Sequence, residues 1–197
     1  MGKRVVVLAS GNGSNAQAVL DRSDLGGDVV AVVTDVADAF VLQRAQDAGV
    51  EGVCVDRRGY EDRGTWEAAL TEAVADRAPD LVVLAGFMRI LSGAFVRRWP
   101  ILNVHPSLLP AFPGAHAVED ALEHGVKVTG VTVHFVVEEV DAGPIVAQEA
   151  VRIEPDDSPD SLHERLKTIE HRLLPAAVAL FCTDRLDMTG RKVRIKP

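Results

Sequence analysis

The chain has 197 residues, of which 47% are hydrophobic and 25% are charged. This composition predicts one globular domain over residues 1–197 with a sizeable core and argues against intrinsic disorder. The formal net charge of −8 argues against a general nucleic-acid binder, which would need a basic face. Two cysteines without metal-ligand spacing, and no apolar run of membrane-spanning length, favour a cytoplasmic protein without membrane association.

The first half of the chain alternates strand and helix patterns. Its β-branched runs are typical of strands buried on both faces of a parallel sheet. The predicted strands are Lys3–Ser10, Asp28–Thr34, Val53–Val55 and Asp80–Ala85. The predicted helices are Ala16–Arg22, Ala37–Ala48 and a third that runs from a capping Thr65 to about Arg77. This βαβαβαβ order predicts an α/β fold with a doubly wound, Rossmann-like parallel sheet.

The second half has a different pattern, with two strands that are joined by a short loop, which favours an antiparallel extension of the sheet. The predicted elements are the short helix Val118–Gly125, the strands Val128–Val137 and Ile145–Val151, the long helix Ser158–Ala179 and an edge strand within Arg185–Pro197. Pro175 is expected to break or kink the long helix, because proline removes a backbone hydrogen bond there.

A polar pair, Asn103 and His105, follows the apolar residues Ile101 and Leu102. Residues two apart in an extended backbone point to the same side of the strand. Pro106 keeps His105 extended, because the residue before a proline disfavours helical geometry. An amide beside a titratable imidazole is what an acyl-type transfer site needs, although a polar strand end with a structural histidine would have the same sequence.

The turn Gly11–Asn15 joins the first strand to the first helix. Its glycines permit positive φ, and the helix start offers unpaired N–H groups to an anion. Gly11-x-Gly13-x-x-Ala16, with Asp35 at the end of the second strand, also satisfies a loose dinucleotide fingerprint. A phosphate site, a nicotinamide dehydrogenase, a non-enzymatic nucleotide-binding module and a plain turn therefore all remain open at this point.

Two further segments hold candidate site residues. Met88–Leu91 follows the fourth strand, where doubly wound sheets bind ligands, and its apolar residues could form a wall around Arg89. Asp141 lies in a glycine–proline turn, and near His105 it would fix the imidazole tautomer and favour the charged ring.

Three histidines and the aspartate are also candidate ligands of a metal ion. His105, His116, His134 and Asp141 match no metal-ligand spacing, so no metal is expected. His134 lies within an apolar strand and is expected to be a core histidine.

Five motifs, taken together and in this order, resemble the folate-dependent formyltransferases. They are GNGSN (Gly11–Asn15), AGFMRIL (Ala85–Leu91), NVHPSLLPAFPG (Asn103–Gly114), VHF (Val133–Phe135) and VDAGPI (Val140–Ile145). The resemblance spans almost the whole chain, and GNGSN narrows it to the glycinamide ribonucleotide branch or the related formyltetrahydrofolate deformylases. A first strand at Lys3 favours the transferases, because the deformylases usually carry an additional N-terminal domain.

The resemblance implies formyl transfer from 10-formyltetrahydrofolate to the amine of 5-phosphoribosylglycinamide in de novo purine biosynthesis, without a metal. It implies that Asn103, His105 and Asp141 are catalytic, that Gly13, Ser14 and Asn15 bind the substrate phosphate, and that Glu170 binds the ribose. The implied folate-binding residues are Arg63, Met88, Arg89, Ile90, Leu91, Asn103, Val137, Glu138, Glu139, Val140 and Asp141. The implied partners are small molecules, and a homodimer is compatible with the resemblance.

Overall fold

The computed structural model describes residues 2–197, whose strands form one nine-stranded sheet. The strands are β1 (Lys3–Leu8), β2 (Gly27–Thr34), β3 (Glu51–Cys54), β4 (Leu81–Leu84), β5 (Ile101–His105), β6 (Val128–Phe135), β7 (Ile145–Arg152), β8 (Leu186–Thr189) and β9 (Lys192–Ile195). The helices are α1 (Ser14–Leu20), α2 (Val41–Asp47), α3 (Arg63–Ala75), α4 (Gly93–Val96), α5 (Ala117–Glu123) and α6 (Pro159–Cys182). Among these helices, none is both long enough and apolar enough to cross a membrane.

The strand order is β3-β2-β1-β4-β5-β6-β7-β9-β8. The first five strands pair in parallel, and β6 and β7 extend the sheet in antiparallel fashion. This arrangement confirms the doubly wound half, its antiparallel extension and the long C-terminal helix. β2 and β3 lie on one side of β1, and β4 and β5 lie on the other. Such a switch point opens a crevice at the carboxyl ends of the strands.

The two faces of the sheet bury separate apolar clusters. Along β1, Val5 and Val7 pack with residues of α1, α2 and α6, whereas Val6 and Leu8 pack with residues of α3 and α4. All four valine and leucine side chains are 0% exposed, as expected for alternating positions of a strand that is covered on both faces.

Helix α6 begins with a capping box, in which the side chains of Ser158 and Ser161 bind each other's backbone N–H groups. The expected break at Pro175 is wrong, because α6 continues to Cys182, while the alternative of a kink there stays a prediction. Leu174 and Val178 on either side of the proline are 0% exposed. Burial of this apolar face stabilises the helix enough to offset the backbone hydrogen bond that proline removes.

Three other local predictions need correction. Helix α3 is capped by Asp62, whose carboxylate accepts the backbone N–H of Thr65 at 2.8 Å, so Thr65 is not the cap. Helix α2 begins at Val41, four residues later than the predicted Ala37. The C-terminal tail forms two antiparallel strands, β8 and β9, where a single edge strand was predicted.

Candidate active site

Asn103 and His134 form the centre of a polar cluster in the sheet. The antiparallel register of β5 and β6 places these two residues directly opposite each other. The Asn103 amide nitrogen lies 3.2 Å from His134 Nε2. His134 Nδ1 lies 2.9 Å from the carbonyl oxygen of Phe135, which can only accept, so Nδ1 carries a proton. One hydrogen of the Asn103 amide is therefore directed at Nε2, and the second is left for another acceptor.

His105 lies at the end of β5 and is 5% exposed. Its Nε2 is 2.8 Å from the carbonyl oxygen of Phe112, so Nε2–H donates there. Its Nδ1 lies 3.6 Å from a carboxylate oxygen of Asp141. This separation exceeds normal hydrogen-bond length. The Nδ1 side of the ring is therefore the side that is open to a reacting group.

Asp141 joins the two histidines. Its Oδ1 lies 3.6 Å from His134 Nε2, and its Oδ2 accepts the backbone N–H of Gly114 at 2.7 Å. Burial opposes ionisation of Asp141, but the contacts with His134, Gly114 and His105 outweigh it and hold the pKa of the carboxyl below its ordinary value. The carboxylate therefore remains charged between two imidazoles.

The turn that carries Asp141 depends on a nearby glycine. Asp141 itself has φ of 52°, which is left-handed geometry that aspartate tolerates better than most residues. A Cβ on Gly143 would lie 1.7 Å from the carbonyl oxygen of Phe135. The turn can approach the end of β6 this closely because Gly143 has no side chain, which places Asp141 over His134.

The Gly11–Asn15 turn is held against α2. Gly13 has φ of 76°, and a Cβ there would lie 2.4 Å from Val41 Cγ2. Arg44 Nε donates to the carbonyl oxygen of Asn12 at 2.8 Å, and a terminal nitrogen donates to the Asn12 side chain at 2.9 Å. These contacts fix the backbone of the turn at the start of α1, where N–H groups lack helical partners.

Asn15 links this turn to α6. Its side-chain nitrogen donates to Glu170 at 2.8 Å, and Glu170 is 4% exposed. The other side-chain atom of Asn15, Oδ1, is buried and has no hydrogen-bond partner within residues 2–197. The predicted phosphate-binding and ribose-binding residues are therefore adjacent in space, although they are far apart in sequence.

The segment after β4 forms one side of the crevice. Met88 and Ile90 are 72% and 65% exposed, as a ligand-contacting wall requires. Arg63 donates to the carbonyl oxygen of Ile90 at 2.7 Å. This predicted folate-binding residue therefore lies beside the wall. The Leu91 side chain is 8% exposed and packs into the core, so a contact of this residue with the folate would use its backbone.

The loop between β6 and β7 supplies the other predicted folate residues. Val137 and Val140 are 38% and 48% exposed. Glu138 forms an ion pair with Arg97, the residue that follows α4. Glu139 is exposed. The two valines thus offer apolar surface close to Asp141.

The position of Asp35 argues against the dinucleotide-binding alternative. Its fingerprint requires Asp35 to reach a ribose hydroxyl group, but the Asp35 side chain is 0% exposed and forms an ion pair with Arg89 at 2.6 Å. A buried, paired carboxylate is not accessible to a bound sugar.

The four residues considered for a metal do not all converge. His116 is exposed and precedes α5, whereas His105 and His134 are buried. Within residues 2–197, no group of three or more histidine, cysteine, aspartate or glutamate side chains is arranged to hold a metal ion.

Comparison with known proteins identifies the family. A family model described as formyl transferase matches residues 3–178. The chain belongs to the formyl transferase family. Phosphoribosylglycinamide formyltransferase of Mycobacterium tuberculosis is 47% identical over 192 residues, covering 95% of this chain and 89% of that protein. The Escherichia coli protein of the same name is 43% identical over 189 residues, covering 93% of this chain and 89% of that protein.

A solved structure gives the same result. Glycinamide ribonucleotide transformylase 1 from Symbiobacterium toebii superposes with a TM-score of 0.95 at 47% identity, covering 100% of this chain and 95% of that chain. The chain also matches the trifunctional purine biosynthetic protein adenosine-3 of Bos taurus at 44% identity, where it spans 19% of the length of that relative. The resemblance to formyltransferases of the glycinamide ribonucleotide branch is therefore confirmed, and the chain is an enzyme of this kind.

His134 is the site residue that sequence reasoning missed. It is a core histidine as predicted, being 1% exposed, but it also contacts both Asn103 and Asp141. The signal that could have found it is strand register: in an antiparallel pair, a residue opposite Asn103 shares its face of the sheet.

Replacing Asp141 should change how stability depends on pH. Because its folded-state pKa is depressed, its ionised form stabilises the folded state above the unfolded pKa, and this contribution disappears as pH falls through the folded pKa. We expect Asp141→Asn to be less stable than wild type near neutral pH, with the difference shrinking as pH falls from the ordinary aspartate pKa through the depressed folded pKa. Urea unfolding across this range measures the difference. A difference that does not vary with pH would contradict the depressed pKa.

Proposed function

We propose that this chain transfers the formyl group of 10-formyltetrahydrofolate to the amine of 5-phosphoribosylglycinamide in de novo purine biosynthesis. The observation that carries the proposal is the convergence of Asn103, His105 and Asp141. The names of the relatives support both the reaction and the purine pathway. We further propose that residues 1–197 act as one cytoplasmic domain, which agrees with the free thiols of Cys54 and Cys182.

The reaction requires charge stabilisation and a proton transfer. The substrate amine attacks the formyl carbon, and the carbon–oxygen double bond opens to a tetrahedral intermediate with negative charge on oxygen. The bond from carbon to N10 of the folate then breaks, the carbonyl re-forms, and the proton lost by the amine is delivered to N10. Atoms and charges balance without a metal or a covalent bond to the protein.

Asn103 is proposed to stabilise the developing oxyanion. One hydrogen of its amide is directed to His134, which fixes the plane of the amide and leaves the second hydrogen for the formyl oxygen. A donor that is oriented before the reaction needs no reorganisation when charge develops on the substrate.

His105 and Asp141 are proposed to handle the proton. His105 Nδ1 faces a carboxylate oxygen of Asp141 across 3.6 Å. A substrate atom beside this pair could form hydrogen bonds with both groups. A protonated Nδ1 would donate to the oxyanion, and the charged carboxylate would accept the proton of the attacking amine. His134 is proposed to position Asn103 and Asp141, because it contacts both.

The substrate would lie between this centre and the turn. The helix-start N–H groups of Gly13, Ser14 and Asn15 are proposed to bind the phosphate, as such groups bind anions without a surrounding basic patch. Glu170 is proposed to bind the ribose hydroxyl groups, and its bond to Asn15 aligns the two subsites. This acceptor site favours a transferase over the deformylase alternative, in which water replaces the amine.

The folate is proposed to occupy the crevice on the other side of the catalytic centre. Exposed Met88, Ile90, Val137 and Val140 provide apolar contact for a flat ring system. Arg63 and Arg89 add cationic donors at the same wall, which suits the anionic end of a folate.

Dependence on the acceptor tests the function directly. We expect formyl transfer from 10-formyltetrahydrofolate in the presence of 5-phosphoribosylglycinamide and no formate release in its absence. His105→Gln should lower kcat by about 10²–10³-fold, as loss of an oxyanion donor does, while ribonucleotide binding persists. His163→Gln, at an exposed position of α6, is the matched control. Formate release at equal rates with and without the ribonucleotide would refute the transferase.

Gly13→Ala tests the phosphate turn. We expect this variant to lose roughly 1–3 kcal/mol of stability, because alanine is strained at positive φ and its Cβ would collide with Val41. The KM for the ribonucleotide should rise while the KM for the folate stays near its wild-type value. Gly11→Ala is the matched control, since a Cβ there meets nothing within 4 Å. Equal effects of the two substitutions on ribonucleotide KM would contradict the assignment.

A further inference from the structure

Asp35 is a buried carboxylate outside the catalytic cluster. Its side chain, which follows the end of β2, is 0% exposed. Its Oδ2 accepts a hydrogen bond from Arg89 Nε at 2.6 Å. Its Oδ1 is also buried and has no hydrogen-bond partner within residues 2–197.

A buried carboxylate with one unpaired oxygen lowers the stability of the fold, so its presence suggests a role beyond packing. Removing a carboxylate from water costs several kcal/mol in proteins, and a buried ion pair is often no more stable than an apolar pair of the same volume. Here the pair has one buried member and one that is 46% exposed, Arg89. Arg89 lies between Met88 and Ile90, the exposed residues of the crevice wall. The buried charge therefore acts on a side chain at the site.

The wall is also anchored at both of its ends. The backbone N–H of Met88 donates to Ser10 Oγ at 2.8 Å, and the backbone N–H of Ser92 donates to Glu67 Oε1 at 2.5 Å. The bond from Arg89 to Asp35 adds an anchor between them that reaches across β1 to the end of β2. Because this bond uses Nε, it sets the orientation of the guanidinium plane without occupying the two terminal nitrogens.

We propose that Asp35 is a positioning residue for the folate subsite, which fixes Arg89 and the wall Met88–Ile90 before the formyl donor binds. This role rests on the proposed function and assigns a task within it to a residue that contacts no substrate. A wall that is ordered before binding avoids the entropic cost of ordering it when the ligand arrives. Loss of Asp35 should therefore weaken donor binding more than it slows the chemical step.

Asp35→Asn is the decisive variant, because it keeps the shape of the side chain and removes its charge. We expect the KM for 10-formyltetrahydrofolate to rise about tenfold, the effect of weakening one hydrogen bond to a charged group. The kcat and the KM for 5-phosphoribosylglycinamide should stay within about twofold of wild type, because the phosphate turn has its own anchors on α2. Glu51→Gln is the matched control, since it removes the carboxylate of the exposed pair with Arg77 at the start of β3.

A double-variant comparison keeps the test valid if Asp35→Asn does not fold. Asp35→Asn/Arg89→Gln removes both charges of the pair, so neither is left without a partner, and this variant is expected to fold. Its folate KM should equal that of Arg89→Gln alone, because Asp35 acts through Arg89. A further rise in the double variant, an unchanged folate KM in Asp35→Asn, or an equal rise in both substrates' KM would each overturn the positioning role. Failure of the wild-type chain to transfer formyl would instead overturn the proposed function.

Discussion

The antiparallel pairing of β6 with β5 is the constraint on which the site depends. It sets His134 opposite Asn103 and leaves the turn after β6 free to return over the same face of the sheet. Gly143 lets that turn pack against the backbone at Phe135, so the carboxylate of Asp141 arrives between two imidazoles. Strand register is fixed over the whole length of a buried pair, since a slip of one residue would turn every side chain to the opposite face. The relative placement of Asn103 and His134 is therefore fixed by the pairing of the two strands.

The parallel half of the sheet positions the two segments that are proposed to bind the two substrates. β1 and β4 are neighbours whose connections leave to different sides, so the turn after β1 and the wall after β4 flank the same crevice. The turn is braced by α2 and by Glu170 of α6, while the wall is braced from β2 and α3. Each subsite thus has its own supports, and a change in one can leave the other intact.

The sequence predicts most of this fold because its signals are local. Continuous β-branched runs indicate the buried strands, and the spacing of Asn103 and His105 places both on one face of β5. The role of His134 could not be predicted in the same way, because its partner is set by the register of two distant strands. The break expected at Pro175 was wrong for a related reason: burial of the helix face around it outweighs local propensity.

The two buried carboxylates show how one kind of residue is used in two ways. Asp35 pairs with Arg89, whose planar guanidinium donates to the carboxylate in a defined direction, so this pair is a structural contact. Asp141 instead faces the two imidazole rings of His105 and His134. Its contacts with them, at 3.6 Å, are longer than the 2.6 Å bond of the arginine pair. The short bond supports the proposed role of Asp35 in holding the wall Met88–Ile90 in place. The longer contacts of Asp141 leave room beside both rings for the proposed group transfer.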